Sequence, residues 1–218
     1  MRKAMIIGAL TLSGALASPA FADEYSGFRL GLGLGEETMK SDVGYLAFGT
    51  ERFDQTRFTY SVFGGWALNK WFAVEAAYQS GSEFSQTMFV DPDNFPFRDI
   101  PVHYDIKAFV PSVVGSWWVT PKFGIYGRAG VYAWKGEFRT AFDDDVTVNP
   151  PGYSRTSFDD DGFEPLLGVG LQTELDTAII RVEYQMTQFD DHNEAALGLA
   201  TADTTVSSVN LSIVWTLH

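Results

Sequence analysis

The chain has 218 residues, 45% of them hydrophobic, and its 15 Lys and Arg against 28 Asp and Glu give a formal net charge of -13. That acidic balance lacks the basic footprint nucleic acids require, so no nucleic-acid partner is expected. The absence of cysteine excludes a disulfide framework.

The N-terminus reads Met1-Arg2-Lys3, then an apolar run from Ala4 to Ala17, then Ser18-Pro19-Ala20-Phe21-Ala22 before Asp23-Glu24. A charged start, a short apolar stretch and an Ala-x-Ala site are the parts of a secretory signal peptide. Residues 1–22 are therefore expected to be a cleaved signal, and residues 23–218 one mature domain. The mature tally of 13 basic and 28 acidic residues is a net of about -15. No later stretch approaches the 18 or so consecutive apolar residues of a membrane helix. If the mature chain enters a membrane, it does so with strands.

Eight strand-like segments follow, judged by alternation of large apolar with small or polar side chains. The first is Gly27 to Gly35, with Phe28, Leu30, Leu32 and Leu34 against Arg29, Gly31, Gly33 and Gly35. The second and third form a hairpin over Phe58 to Gln79, turning at Leu68-Asn69-Lys70. One of its faces carries Tyr60, Val62, Trp66, Phe72, Val74, Ala76 and Tyr78, and the other Thr59, Ser61, Gly65, Ala73, Glu75, Ala77 and Gln79. The fourth covers Tyr104 to Trp118, interrupted by Pro111, and the fifth Lys122 to Lys135. The sixth is Phe163 to Glu174, the seventh Ala178 to Phe189 and the eighth Thr205 to Leu217.

The connections sort by length. Those at Asn69-Lys70, Thr120-Pro121 and Asp176-Thr177 are tight, whereas Glu36 to Arg57, Gly81 to His103, Gly136 to Asp161 and Asp190 to Thr204 read as long loops. Short and long connections alternating along an even number of meandering strands are what an outer-membrane barrel shows, with short periplasmic turns and longer external loops. The expected fold is thus all-β, an eight-stranded antiparallel up-and-down transmembrane β-barrel. In such a barrel the apolar face meets lipid and the polar face lines the interior. Tyr60, Trp66, Trp71, Tyr78, Tyr184 and Trp215 near strand ends on the apolar face suit the two bilayer interfaces.

Three motifs in this order resemble the eight-stranded barrel of the OmpA-like outer membrane proteins. They are Phe63-Gly64-Gly65-Trp66 continuing through Asn69 to Glu75 and Tyr78; Ile125-Tyr126-Gly127-Arg128-Ala129-Gly130 with Trp134-Lys135; and Arg181-Val182-Glu183-Tyr184-Gln185. Two departures stand beside the resemblance. The chain ends Trp215-Thr216-Leu217-His218 where many members close on an aromatic residue, and it stops at the eighth strand where larger members carry a peptidoglycan-binding domain.

Arg29, Glu75, Arg128, Arg181 and Glu183 fall on the polar face and are expected to form a lumen charge network, because a buried charge left alone costs several kcal/mol. The resemblance implies that such a network plugs the barrel and allows it to be pictured as a gate. Glu75 and Arg181 match the family positions, whereas Gln172 stands where relatives often have an acid and Val114 near a position that is often Lys. A static plug is the favoured reading, since eight strands enclose an interior just wide enough for side chains to fill.

No catalytic, metal or cofactor site is expected. The imidazoles are His103, His192 and His218, of which Asp190-Asp191-His192 has the composition of a water-activating pair. Asp143-Asp144-Asp145 and Asp159-Asp160-Asp161 lack the spacing with Gly of a calcium loop and read as solvated segments. The expected function is a structural or surface-interaction role in the outer membrane with at most a narrow ion path. Outer-membrane lipid and lipopolysaccharide, the barrel assembly machinery and an extracellular partner for the acidic loops are the expected partners. A lipid-modifying enzyme and a soluble periplasmic ligand-binding barrel are the alternatives.

Overall fold

The computed structural model describes residues 26–45, 49–89, 99–140, 156–189 and 199–217. These form nine strands: β1 (Gly27–Tyr45), β2 (Gly49–Ala67), β3 (Phe72–Gly81), β4 (Phe84–Phe89), β5 (Asp99–Trp118), β6 (Phe123–Thr140), β7 (Thr156–Glu174), β8 (Ala178–Phe189) and β9 (Leu199–Leu217). Each strand pairs antiparallel with its sequence neighbour from β1 to β3 and from β5 to β9; β1 joins β9 and β3 joins β5. Eight strands therefore close into a barrel, and closure removes every sheet edge from the wall.

β4 stands outside that closure and, among the described residues, pairs with β5 alone. It prolongs the line of β3 along β5 with one residue inserted, since Gln79 faces Ala108 and Phe84 faces Tyr104. Five steps on one side meet four on the other, which is a β-bulge. The break is held from β2: Phe58 O accepts from Ser82 N at 3.0 Å, and Arg57 Nη1 donates to Ser82 O at 3.2 Å.

The tight turns are built by short polar side chains. Asn69 Oδ1 accepts from the backbone of Trp71 at 2.7 Å and Phe72 at 2.9 Å, and Thr120 Oγ1 accepts from Phe123 N at 3.0 Å. Such side-chain to backbone bonds satisfy donors that a chain reversal would otherwise leave open. Pro111 does not interrupt β5. It faces outward opposite Ala76 on β3, and the ladder to β6 skips Val110 and Pro111, where proline has no N–H to give.

The long connections are shorter than the sequence implies, because β1, β2, β6, β7 and β9 continue far past the last alternating residue. Most of Glu36 to Arg57 is paired strand, and Asp159-Asp160-Asp161, read above as solvated loop, lies in β7 opposite Glu137, Gly136 and Lys135. Beyond the apolar belt the outward positions turn polar, so the apolar-out, polar-in alternation fades while backbone pairing carries on. Residues 143–145, 190–192 and 218 lie outside the described residues.

The exterior carries a belt of exposed apolar side chains, among them Leu32, Leu34, Val62, Val113, Ile125, Leu167, Val182 and Leu211. It ends on the side away from the turns where Glu36, Lys107, Lys135 and Asp161 take over. Tyr60, Trp66, Trp71, Tyr78 and Tyr184 are exposed on it, and Trp215 is half-buried. The interior is filled. Towards the turn end, Ala67, Ala73, Val114 and Tyr126 pack together, as do Phe63, Ile179 and Val214. Towards the far end Tyr132, Trp134, Phe189, Phe84, Ile106 and Leu166 form a larger apolar cluster, with the Trp134 and Phe189 rings 4.8 Å apart.

Candidate functional site in the barrel lumen

The parity of each strand decides which charges turn inward. Arg29 on β1, Glu75 on β3, Arg128 on β6, and Arg181 and Glu183 on β8 all point into the barrel and are buried. Four of them join directly. Glu75 Oε1 accepts from Arg181 Nη1 at 2.8 Å and Glu75 Oε2 from Arg128 Nη2 at 3.0 Å, while Arg128 Nε donates to Glu183 Oε1 at 2.7 Å. Arg128 therefore bridges two carboxylates from opposite walls. Its Nη1 donates to Ser112 Oγ at 2.7 Å, and Tyr126 donates its hydroxyl proton to Glu183 Oε2 at 3.0 Å. The Tyr126 ring also lies 5.1 Å from the Arg181 guanidinium carbon, close enough for a cation–π contact. Arg29 is the member that makes no direct bond to a carboxylate among the described residues. It shares a row with Glu75, separated by Gly65, through the register Arg29–Gly65–Glu75.

Glycine makes this row compact. A Cβ at Gly65 would stand 2.3 Å from Val74 O and 2.8 Å from Glu75 Cγ, so no larger residue fits beside the carboxylate. Of the two lumen positions that differ from the family pattern, Val114 is fully buried in the apolar cluster with Ala67, Ala73 and Tyr126. Gln172 is buried opposite Arg181, the partner the β7–β8 register gives it.

A second layer lies nearer the far end, and it falls in the stretch that the sequence reading assigned to a loop. Arg57 Nε donates to Glu37 Oε2 at 2.6 Å, Arg57 Nη2 donates to Ile106 O at 2.9 Å, and Tyr132 donates its hydroxyl proton to Glu37 Oε1 at 3.2 Å. The guanidinium carbon of Arg57 sits 4.5 Å above the Phe84 ring. Glu37 and Arg57 are as buried as the first layer. The signal for them was present, since Glu37 continues the odd-numbered inward series from Arg29 to Gly35 and Arg57 continues that of Thr59.

Between the layers is a cavity of about 10 Å³ lined by Glu37, Gln79, Tyr132, Thr187 and Ser208 among others, room for about one water molecule. At the rim beyond the belt, Arg139 donates to Glu137 at 2.8 and 2.9 Å and to Glu83 at 3.2 Å, and His103 Nδ1 lies 3.6 Å from Glu83 Oε2. The hydrogen bond from Arg139 outweighs the opposing effect of partial desolvation and holds the Glu137 carboxyl below the usual carboxylate range. No group of three or more metal-ligating side chains occurs among the described residues.

Among solved structures, Neisserial surface protein A matches with a TM-score of 0.57 at 8% identity, over 88% of this chain and 98% of that one. OprG from Pseudomonas aeruginosa matches at 0.48 and 15% identity over 89% and 98%, and Ail of Yersinia pestis at 0.48 and 11% over 88% and 99%. The first of these carries the likeness of fold. No curated protein sequence matches the chain. The sequence profile of the OmpA-like transmembrane domain, however, covers residues 19–217, which is the entire barrel together with its lumen charges. An eight-stranded closed wall, an apolar exterior and that near-complete match place this chain in the OmpA-like transmembrane domain family of outer membrane β-barrels.

Proposed function

We propose that this protein is a structural, surface-presenting barrel of the outer membrane, exported by a signal at residues 1–22 and plugged by its own side chains. The observation that carries the reading is the filled interior. Among the described residues, two layers of buried ion pairs, Glu75–Arg128–Glu183 with Arg181 and Glu37–Arg57, stand beside apolar clusters, and the cavity between them is water-sized. A solute would have to break a buried ion pair to pass, at a cost of about 3–5 kcal/mol for each partner stranded. What remains available for interaction is the outside: the apolar belt for lipid and lipopolysaccharide, and the acidic far end for an extracellular partner.

In this reading the tight turns face the periplasm and the far end faces the medium. The chain has no cysteine, so single cysteines report topology cleanly. On intact cells a membrane-impermeant maleimide is expected to label Lys40→Cys, at the exposed far end, and to reach Lys122→Cys, at a tight turn, only after the outer membrane is permeabilised. Equal labelling of both sites on intact cells would overturn the orientation. Recovery of the protein in the detergent-free periplasmic fraction would overturn the membrane location itself.

A further inference from the structure

The turn-side layer of the lumen carries more positive than negative charge. Arg29, Arg128 and Arg181 are buried there with Glu75 and Glu183, so three guanidinium groups face two carboxylates. Arg128 takes half of the available carboxylate oxygens, one from each acid, and Tyr126 takes the second oxygen of Glu183. Arg181 is left with one oxygen of Glu75 through Nη1, and its Nε and Nη2 have no partner among the described residues. The same is true of Arg29 Nε and of both amide atoms of Gln172, the residue paired with Arg181 across β7 and β8. Arg29 interacts electrostatically with Arg181, Glu75 and Glu174, but Glu174 is only half-buried and makes no ion pair within 4 Å among the described residues. In the far layer the single buried guanidinium among the described residues, Arg57, has Glu37 and Asp105 as its acidic partners.

We propose that this end of the lumen binds one small monovalent inorganic anion of the chloride class, held by Arg181 Nε and Nη2, Arg29 Nε and the amide N–H of Gln172. Water could satisfy the hydrogen bonds but not the surplus charge, and an uncompensated buried cation is the costlier defect. Four N–H groups on three side chains with an excess of one positive charge suit a spherical anion. The carboxylates already engaged by Arg128 and Arg181 disfavour a multiply charged one. This inference concerns what occupies the lumen and stands whether or not the far end has an extracellular partner.

The test compares chloride with gluconate, an anion too large to enter, at equal ionic strength in urea unfolding of the full barrel in detergent. The wild-type midpoint is expected to be higher in chloride. Gln172→Glu places a carboxylate beside Arg181 from within, so its midpoint is expected to be the same in both salts. Should that variant fail to fold, Arg29→Met removes the surplus cation and is likewise expected to lose the chloride dependence. Crystals soaked in bromide are expected to show an anomalous peak within hydrogen-bonding distance of Arg181 Nη2. Equal wild-type midpoints in the two salts would overturn the proposal, and so would a chloride effect that survives undiminished in the variant.

Discussion

Arg128 is the residue on which the turn-side layer depends, since among the described residues it alone touches both Glu75 and Glu183. Glu75 is its counterpart, accepting from Arg128 and Arg181 with separate oxygens. Replacing Glu75 by Leu strands Arg181 in a dry interior and is expected to destabilise the detergent-folded barrel by about 3–5 kcal/mol in urea unfolding. Adding Arg181→Met to that background removes the stranded cation, so the double variant is expected to lose less than the sum of the singles. A coupling of about 1–3 kcal/mol is predicted, and additive losses would show that the two side chains do not meet in solution. The five charges of this layer were legible from strand parity alone: each sits two, four or six residues from a small residue on the same face. Their connectivity was not legible, because parity gives the face of a residue but not which partner it finds across a barrel.

At the scale of elements, small residues in the wall make room for large ones in the lumen. A Cβ at Gly31 on β1 would stand 2.2 Å from Phe63 Cζ on β2, and Phe63 cannot retreat freely because it packs on Ile179 and Val214. Gly31→Ala is expected to cost about 1–3 kcal/mol by forcing that ring from its place. Urea unfolding measures it, and an unchanged midpoint would show the cluster to be loosely packed. The strand extensions past the belt have a different support. There the Glu137 carboxyl, held below its ordinary pKa by Arg139, contributes stability that is present above the unfolded carboxylate pKa and is lost as pH falls through the lower folded value. Arg139→Gln is expected to return Glu137 to the ordinary range, read by carbon NMR titration, with an effect that added salt weakens. These extensions are what the sequence concealed. Within the belt the lipid-facing and lumen-facing positions differ in polarity, so alternation marks the strands; beyond it Lys40, Asp54, Lys107 and Asp161 stand on outward positions of continuing strands, and nothing in the pattern separates strand from loop. Glu37 and Arg57 kept the inward parity of their strands, but the charge-rich segment around them reads as loop and so masks that they form a buried ion pair. β4 was hidden by its shortness and by the bulge that detaches it from β3.

The molecule as a whole was the most legible level. The sorting of tight turns against long connections, an even strand count and the lack of cysteine converge on a closed antiparallel barrel, and closure is what the β3–β5 pairing supplies. A barrel of eight strands leaves an interior that side chains can fill, and here they do so in alternating ionic and apolar layers. A wide aqueous pore would need Arg128 and Arg57 each to release two partners at once. The most direct test of this account is the single-channel conductance of the purified barrel in a planar lipid bilayer. A membrane that stays electrically silent, or shows only rare and brief low-conductance events, is predicted; a large, steady open-channel current would contradict the plugged lumen.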